Sequence, residues 1–355
     1  MNILYIGHYR ENSSFGYASR KYVEALHFAN VELSIRPIYL QRQEIYKEVP
    51  DFYHQLENNK SDSYDILIQD TIPQFYEYNK NFGKNICVPK IETRSLSHTG
   101  WIERINMMDE VWVNSFFSQK SLQESGVTKT IKVAPIPFNL DQISNNIADK
   151  VDKEFNFYTI TSMLQKDNLL KLLTAYFLEF NNNDNVRLIV KLKEKVETSI
   201  RNIITQAYNI SRKSVNKINE PIIINGHINE QQMIDLHNNS DCYIDASSSS
   251  YAGMGCVQAA LYGNQCICTN GTAPSSFISN NSGFNIASSL VDVISEPVYG
   301  INNIYTNQEK WYDISIQSLR QQMRAAYQTD KREKEQKLKN FNKNIFDHKQ
   351  FKHYI

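Results

Sequence analysis

Apolar and polar positions follow two patterns along the chain, one typical of buried strands and one typical of amphipathic helices. In the first part, "NILYIG", "VELSIRPIYL", "YDILIQD", "NICVPKIET" and "MDEVWVNS" have the composition of strands, and "TIKVAPIPFN" ends the series with two prolines. Between them, "YASRKYVEALHFA" places Tyr22, Val23, Leu26 and Ala29 on one helical face. "FFSQKSLQESG" predicts a helix that stops at Gly126. Strands that alternate with helices predict a parallel sheet covered by helices.

A second alternating series begins at "FNFYTITSM". It continues with the helix "DNLLKLLTAYFLEF", the strands "VRLIVKLK", "EPIIINGHI" and "CYIDAS", and the helix "NEQQMIDLHNNS". The stretch "SSSSYAGMGCVQAALYGNQCICT" then predicts a loop, a helix and a strand. We interpret the polar segment "LDQISNNIADKVDKEF" between the two series as a linker. The pattern therefore predicts two α/β domains with a ligand between them.

The end of the chain, "WYDISIQSLRQQMRAAYQTDKREKEQKLKNF", predicts one long helix. Its "KREKEQKLK" section has five Lys or Arg against two Glu, which is typical of a solvated helix face. This bias is too mild to decide whether the protein binds a membrane surface, so peripheral contact with a membrane stays open.

The overall charge is balanced. The 355 residues are enough for two domains, and 38 Lys and Arg match 38 Asp and Glu. Without a basic field we expect no nucleic-acid partner. The start "MNILYIGHYR" reads as a strand and not as a signal peptide, and no segment reaches transmembrane length. We therefore expect a cytoplasmic protein, with peripheral contact at the inner membrane face left open.

The five cysteines form no metal-binding pattern. Cys87, Cys242, Cys256, Cys266 and Cys268 are odd in number, lack CxxC spacing and lie mostly in apolar segments. We expect them to pack as small hydrophobic side chains in a reducing compartment, and we expect no metal site.

The loop after the first strand, "GHYRENSSFGYASRKY", does not fit the dinucleotide-binding fingerprint. That fingerprint needs three closely spaced glycines, and here only Gly7 and Gly16 are present, nine residues apart. A nicotinamide-dependent dehydrogenase is therefore disfavoured. Gly16 and Tyr17 begin a helix where backbone N–H groups could meet a phosphate or an acceptor sugar. A plain surface loop is the alternative.

The segment "ETRSLSHTGWIERINMMDEVWVNSFFSQKSLQESGV" is dense in motif residues. They are Glu92, Thr93, Trp101, Asp109, Glu110, Trp112, Ser115, Phe117, Ser125, Gly126 and Val127. The segment resembles the middle of the N-terminal domain of GT-B glycosyltransferases of family 4, the "glycosyl transferases group 1" type. The proline that the family usually has between "E-T" and the tryptophan is absent here.

The second half continues the resemblance in the same order. Where the family has "RKN" at a helix start, this chain has "QKDNLLKLLTAYF", which leaves Lys166 as the single cation where two are usual. "VRLIVK" is similar to the family's next strand, and we assign Lys191 a structural role there. "LHNNSDCYIDASSSS" and "LYGNQCICTNGTAPSSF" are similar to two later segments. "WYDISIQSLRQQMRAAY" resembles the closing helix, whose continuation usually crosses back to the first domain.

The resemblance implies a GT-B fold: two Rossmann-like, doubly wound α/β domains that face a central cleft. We expect an acceptor-side domain over 1–145, a nucleotide-sugar-binding domain over 152–330, and a helical segment over 331–355 that packs back on the first domain. The implied activity is metal-independent, retaining transfer of a sugar from a nucleotide-sugar donor to a glycan, lipid-linked or protein acceptor. Polysaccharide biosynthesis would be one setting. No cofactor is implied, and the oligomeric state stays open.

The implied donor site lies in the second domain. Without a metal, the departing nucleoside diphosphate must be stabilised by cationic side chains and a helix N-terminus. Lys166 is the candidate cation, with a solvated lysine in a helix-entry turn as the alternative. Gly253, Met254 and Gly255 form a loop that is followed by a helix beginning near Cys256, and this loop and helix start offer N–H groups to the donor.

This site departs from the family pattern at both acidic positions. The family's E-x7-E motif falls on Ser250 and Gln258. Gln258 can still hydrogen-bond a ribose hydroxyl, although more weakly than a carboxylate does. Ser250 is too short to reach the donor sugar as a glutamate would.

Two residues of the first domain are further candidates. His98 is a candidate polar or catalytic group that meets the sugar or the acceptor, with an ordinary surface histidine as the alternative. Glu92, at the end of its strand, is a second catalytic candidate, but it could instead pair with Arg94 or Arg104.

Three functions remain open on the sequence. The first is an active retaining glycosyltransferase. The second is a non-catalytic GT-B protein that binds a nucleotide-sugar or a glycan or supports a partner transferase. The third is a sugar-nucleotide epimerase on the same fold, for which the sequence shows no matching acid/base pair.

Overall fold

The computed structural model describes residues 1–40, 48–96, 99–151, 153–213, 219–293 and 305–355. Its contacts divide the chain into two compact units. Unit 1 comprises Met1–Leu140, Asp292–Lys310 and Lys343–Ile355, and unit 2 comprises Asp141–Val291 and Trp311–Asn342.

Unit 1 is built on one parallel sheet. Its strands are β1 (Asn2–Gly7), β2 (Glu32–Pro37), β3 (Ile66–Asp70), β4 (Lys84–Cys87), β5 (Glu110–Val113) and β6 (Thr130–Val133). Its helices are α1 (Ser14–Phe28), α2 (Asp51–Asn58), α3 (Trp101–Asn106) and α4 (Phe116–Glu124). The strands lie in the order β2-β1-β3-β4-β5-β6, and every pair is parallel. The predicted parallel sheet is therefore present.

The residues that carry the family resemblance in unit 1 mostly hold its loops together. The Glu110 carboxylate accepts from Trp112 Nε1 at 2.6 Å and pairs with Lys84 and Lys132. Ser115 caps α4 by accepting from the Ser118 N–H at 3.2 Å. The segment thus matches a fold motif, because its conspicuous polar residues are structural partners.

Unit 2 repeats the architecture. Its strands are β7 (Phe155–Thr161), β8 (Val186–Leu192), β9 (Ile222–Ile224), β10 (Cys242–Asp245), β11 (Gln265–Thr269) and β12 (Phe284–Ile286). Its helices begin with α5 (Leu140–Asn146) and continue with α6 (Leu169–Glu179), α7 (Glu197–Ser211), α8 (Glu230–Asn238) and α9 (Met254–Leu261). The strands lie in the order β12-β11-β10-β7-β8-β9, again all parallel.

One hydrophobic cluster of unit 2 lies on the face of this sheet that α6 covers. Leu172, Leu173 and Phe177 of α6 pack there with Leu188 and other alternate residues of β8. The spacing predicted for α6 is confirmed. All five cysteines are buried free thiols, as their apolar surroundings predicted.

The last part of the chain differs from the single long helix that we predicted. It consists of a strand and two helices, β14 (Lys310–Ile314), α10 (Ile316–Gln328) and α11 (Lys331–Asn340), and β14 pairs with β13 (Ser288–Asp292). Asp330 interrupts the helical run because its side chain caps α11 through the Glu333 N–H at 2.8 Å. The solvated face predicted for α11 is confirmed, since none of its residues is buried.

The division into units also differs from the predicted boundaries. Unit 2 begins at Asp141, where the expected linker forms α5, and it keeps α11. Helix α11 belongs to unit 2 because hydrogen bonds hold it there. Lys337 and Asn340 donate to the backbone carbonyls of Asn280, Asn281 and Gly283. Of the helical segment predicted over 331–355, only Lys343–Ile355 belongs to unit 1.

That final segment is anchored to unit 1 by backbone hydrogen bonds and aromatic packing. Phe138 N–H donates to the Phe346 carbonyl at 2.6 Å, and His348 N–H donates to the Phe138 carbonyl at 2.9 Å. Phe351 is buried against Tyr22 and Trp112, with ring centroids 5.3 and 5.7 Å away. Among the described residues, we find no helix both long and apolar enough to span a membrane.

Candidate functional site

The candidate donor site lies at the carboxyl edge of the unit 2 sheet, where the loops after β7, β8 and β10 emerge. Two of these loops are tied together by backbone and side-chain bonds. The Ser248 N–H donates to the Lys166 carbonyl at 2.6 Å, and the Asn168 side chain donates to the Ala246 carbonyl at 3.0 Å and to Ser248 Oγ at 2.9 Å. Lys166, half-buried, is therefore held beside the serine-rich loop.

The loop after β7 is charged and internally braced. Asp167 accepts from the Ser162 N–H at 2.9 Å and from Ser162 Oγ at 2.5 Å. Burial opposes its negative charge, but the ammonium groups of Lys193 and Lys166 and the bonds from Ser162 outweigh burial, so the pKa of Asp167 is lowered. Asp167 thus stays ionised and positions the turn that carries Lys166.

A second carboxyl group ends β10. Burial raises the pKa of Asp245, while hydrogen bonds from the Ser247 backbone and hydroxyl act in the opposite direction. The serine run that begins two residues later contains no acid, so Asp245 is the carboxyl group that precedes it in the chain.

The N-terminus of α9 is open. Gly253 precedes the helix in a left-handed conformation with φ +64°, and no side chain in the described ranges of the chain caps the first turn. Ser250 Oγ instead accepts from the Gly253 N–H at 3.1 Å. The predicted donor-side serine is therefore the residue that shapes the turn before the helix. Uncapped first-turn N–H groups favour an anion.

Two glycines allow this helix start to approach the rest of the unit closely. A Cβ at Gly253 would lie 2.7 Å from Pro274 Cα, and a Cβ at Gly255 would lie 2.2 Å from the Tyr243 hydroxyl. Ser249, 5% exposed, has a hydroxyl with no hydrogen-bond partner among the described residues. The site thus combines a tightly held helix N-terminus with an unused polar group.

The sequence-predicted residues of unit 2 converge on this edge. Ser250, Gly253, Met254 and Gly255 form the turn and first helical residues, and the Lys166 loop is bonded to the same segment. Gln258 is half-buried and one turn further along α9. The helix begins at Met254, two residues before the predicted start near Cys256.

The predicted phosphate loop of unit 1 differs from expectation. The Gly16 N–H is already engaged, because Ser13 Oγ accepts from it at 3.1 Å as the N-cap of α1, and Tyr17 continues the helix. The preceding loop is packed and not flexible: His8 bonds Thr71 and Glu11, and Arg10 pairs with Glu57. A Cβ at Gly16 would lie 1.9 Å from the Glu11 carbonyl oxygen, so glycine is required for packing.

Of the two catalytic candidates of unit 1, the structure describes Glu92. Glu92 is half-buried in the loop after β4. Its neighbour Arg94 pairs with Glu124. His98 lies outside the described residues. The roles of Glu92 and His98 stay predictions.

Sequence reasoning missed a buried charged cluster at the carboxyl edge of the unit 1 sheet. Asp70, the last residue of β3, pairs with Lys90 and accepts from the Tyr5 hydroxyl at 2.5 Å, and both charged side chains are at most 1% exposed. A carboxylate that ends the apolar run "ILIQD" was the available signal. In unit 2, the sequence assigned no role to Lys193, whose ammonium acts on the charge of Asp167.

No family model matches the sequence, and no curated protein matches it. Solved structures do match. The trehalose-6-phosphate synthase OtsA is 10% identical, with a TM-score of 0.66 over 100% of this chain and 98% of that one. Anabaena HepE in complex with UDP and glucose is 11% identical, with a TM-score of 0.63 over 100% and 98%. A glycosyltransferase from Rickettsia africae is 12% identical, with a TM-score of 0.64 over 97% and 95%.

Sequence identities of 10%, 11% and 12% are too low to show membership of a family. Membership of family 4 and the degenerate E-x7-E motif therefore stay predictions. What these solved structures share with this chain is architecture over nearly its full length. The chain therefore has the GT-B fold of glycosyltransferases, with two Rossmann-like α/β domains.

Proposed function

We propose that this chain is a retaining glycosyltransferase that transfers a sugar from a nucleotide-sugar donor to a glycan, lipid-linked or protein acceptor. The observation that carries the proposal is the uncapped N-terminus of α9, which the Lys166 loop adjoins on a GT-B fold. The structural neighbour HepE was crystallised in complex with UDP and glucose. A nucleotide and a sugar are also the ligands that we propose for this chain.

The chemistry needs positive charge where the leaving group forms. As the bond between the anomeric carbon and the phosphate oxygen breaks, negative charge grows on the diphosphate. The first-turn N–H groups of α9 and the Lys166 ammonium would stabilise that charge. The acceptor oxygen then bonds to the anomeric carbon on the face that the diphosphate leaves, and its proton passes to the departing phosphate oxygen. Atoms and charge balance without a carboxylate pair of the glycosidase kind.

Because the charge would be supplied by the protein, we propose that transfer needs no divalent metal ion. Activity should be unchanged in excess EDTA. Activity that EDTA abolishes and Mg²⁺ or Mn²⁺ restores would show that a metal ion, and not these residues, stabilises the leaving group.

One observation favours a second candidate, a non-catalytic protein that binds a nucleotide-sugar. Ser250 holds the Gly253 N–H, so the position that would carry the donor-side acid is used for structure. Gln258 replaces the second acid of the pattern. Binding through α9 would survive both changes, whereas efficient turnover would be more sensitive to them.

The test is nucleotide release and calorimetric binding with the purified full chain and a panel of UDP-, GDP- and ADP-sugars. We expect release above background with at least one donor, a product that keeps the anomeric configuration by NMR, and a large loss in Lys166→Gln. Lys80→Gln, which removes an exposed charge in unit 1, is the control. Binding without release would establish the non-catalytic alternative. Absence of both binding and release would refute the proposed function.

A further inference from the structure

Strand β8 and the residue after it carry two lysines, Lys191 and Lys193, that form no ion pair with the described residues. Lys191, in β8, is 6% exposed, and Lys193 follows the strand and is exposed. Neither ammonium has an ion pair or a hydrogen bond to the part of the chain that the structure describes. Residues two apart on a strand point to the same side, so the two charges repel each other. Burial and then Lys193 lower the pKa of Lys191.

The strand register shows where Lys191 lies. It is paired with Ile160 on β7, and Tyr158 on β7 is paired with Tyr243 on β10. Paired residues and alternate residues of a parallel sheet share a face, so Lys191 and Tyr243 are on the same face. The Tyr243 hydroxyl lies 3.5 Å from the Ile160 carbonyl oxygen and directly against Gly255 in the first turn of α9.

Lys191 on β8 is two strands away from Tyr243 on β10, with β7 between them, and it lies two residues nearer the carboxyl edge of the sheet. Adjacent strands are separated by about 4.8 Å, so β8 and β10 are about 10 Å apart, and a diphosphate between the Lys191 ammonium and the start of α9 would bridge this distance. Lys193 lies at the same edge, because its N–H donates to the Thr161 carbonyl at 2.9 Å, next to Ser162. A helix N-terminus and two ammonium groups without an ion pair among the described residues thus share one edge of the sheet.

Two acids lie near Lys193, and its positive charge favours the ionised form of both Asp167 and Asp245. Asp167 is bonded to Ser162, and Asp245 is bonded to Ser247. Neither forms an ion pair with Lys191 or Lys193 among the described residues. Partial burial and the charge of Lys193 lower the pKa of Lys191, so its ammonium is disfavoured in the ligand-free protein, and an anion that arrives with a ligand offsets this penalty.

We propose that Lys191 and Lys193 bind the diphosphate of the donor and supply the second positive charge that the Lys166 loop lacks. The inference rests on the proposed function and deepens it by naming residues to which we had assigned a structural role or no role. Lys191 is the inner contact, on the sheet face that also carries Tyr243, and Lys193 is the outer contact at the rim.

The experiment compares Lys191→Met, Lys193→Gln and Lys166→Gln with the full-length wild-type chain. Thermal unfolding is measured without ligand, and calorimetry is measured with UDP, GDP, ADP, inorganic pyrophosphate and uridine. Lys195→Gln is the matched control, because it removes an exposed charge two residues beyond Lys193.

We expect Lys191→Met to raise the melting temperature of the ligand-free protein and to weaken diphosphate binding by about tenfold or more. A merely structural lysine would give the opposite temperature shift. Lys193→Gln should weaken binding by about threefold to tenfold, because the lost contact is solvated. Lys195→Gln should stay within about twofold. Uridine, which has no phosphate, should not distinguish the variants.

A second readout keeps the inference testable if Lys191→Met does not fold. An anion beside Lys191 raises its proton affinity, so UDP binding at alkaline pH should take up protons, seen as a dependence of the calorimetric enthalpy on the buffer. Lys193→Gln, at an exposed position, should fold and still show the affinity loss.

The outcomes separate this inference from the proposed function. If no diphosphate binds the wild-type chain, the proposed function fails. If UDP binds and only Lys166→Gln weakens it, the proposed function stands and the role of Lys191 and Lys193 is refuted. A lower melting temperature for Lys191→Met with unchanged affinity leads to the same refutation.

Discussion

At the scale of single residues, Ser250 and Gln258 have separate roles although both depart from the same motif. Ser250 shapes the turn before α9 through the Gly253 N–H, so a longer acid there would have to leave that turn to reach a ligand. Gln258 lies within the helix, one turn past its start, and is half-buried. Only Gln258 can therefore be changed without rebuilding the loop.

Gln258→Glu should strengthen nucleotide binding by about threefold to tenfold, because a charged acceptor bonds a ribose hydroxyl more strongly than an amide does. Calorimetry with UDP and with inorganic pyrophosphate measures this effect. Pyrophosphate has no ribose and is the control ligand. Equal UDP affinity in the two proteins would mean that this helix does not touch the ribose.

Gly255→Ala should disturb the site through sterics alone. The new Cβ would be 2.2 Å from the buried Tyr243 hydroxyl, so the first turn of α9 must move. We expect a loss of about 1–3 kcal/mol in the free energy of unfolding and weaker nucleotide binding. Gly100→Ala is the control, because its φ is −72° and a Cβ there meets no atom within 4 Å. Urea denaturation that shows equal losses in both variants would contradict the packing argument.

His237 should make the stability of the protein depend on acidic pH. It is buried in α8, bonded through Nδ1 to the Tyr158 hydroxyl at 2.7 Å, and burial lowers its pKa from 6.5 to about 4. The unfolded chain therefore takes up this proton first as the pH falls. Stability that is present above pH 6.5 is lost on the way to pH 4, by about 3 kcal/mol.

Urea denaturation from pH 7 to pH 4 measures this slope, with His237→Gln as the comparison because an amide keeps the hydrogen bond to Tyr158 without titrating in this range. The variant should lose less stability over the interval than the wild type. Parallel curves for the two proteins would show that His237 does not titrate differently on unfolding.

At the scale of elements, the final segment of the chain is a packed part of unit 1. Phe351→Ala would leave a cavity between Tyr22 and Trp112, and we expect a loss of about 3–5 kcal/mol in the free energy of unfolding. Phe75→Ala, at a position 44% exposed, is the control and should cost much less. Chemical denaturation followed by the fluorescence of Trp112 reports this region. A small loss in both variants would indicate that the segment detaches in solution.

The sequence predicted most strands and the helices α1, α4, α6 and α8, because their periodicity is local. It did not separate β14 from α10, since "WYDISI" fits both an apolar strand and the start of a helix, and it passed over α2 and α7. At the site, it assigned Lys166 and the turn before α9 to one donor site, and the structure shows that the loops carrying them are bonded to each other. Lys191 could not be recognised, because its burial depends on β7 and β9, which are distant in sequence.

At the scale of the whole molecule, the equal numbers of acidic and basic residues conceal a local imbalance. Lys166, Lys191 and Lys193 lie at the edge of the unit 2 sheet where α9 begins, against the two carboxyl groups of Asp167 and Asp245. The helix that we first considered for phosphate, α1, is capped by Ser13. An anionic ligand should therefore affect unit 2 first.

Hydrogen exchange with and without UDP tests this distribution. We expect slower exchange in the loops after β7 and β10 and in the first turn of α9, because a bound anion occupies those N–H groups. The amides of β1 and β3 serve as an internal reference. Protection centred on the start of α1, with none at α9, would place the anion in unit 1 and contradict the assignment.

The discontinuity of unit 1 has a consequence for biosynthesis. Its sheet is translated first, but Phe346, His348 and Phe351, which bond to Phe138 and pack on Tyr22, are translated only after the whole of unit 2. A nascent chain can therefore complete the contacts of unit 2 before those of unit 1. Domains usually fold on the ribosome from the N-terminus onward, but unit 1 can be completed only after residues 343–355 are translated, and until then Tyr22 lacks its contact with Phe351.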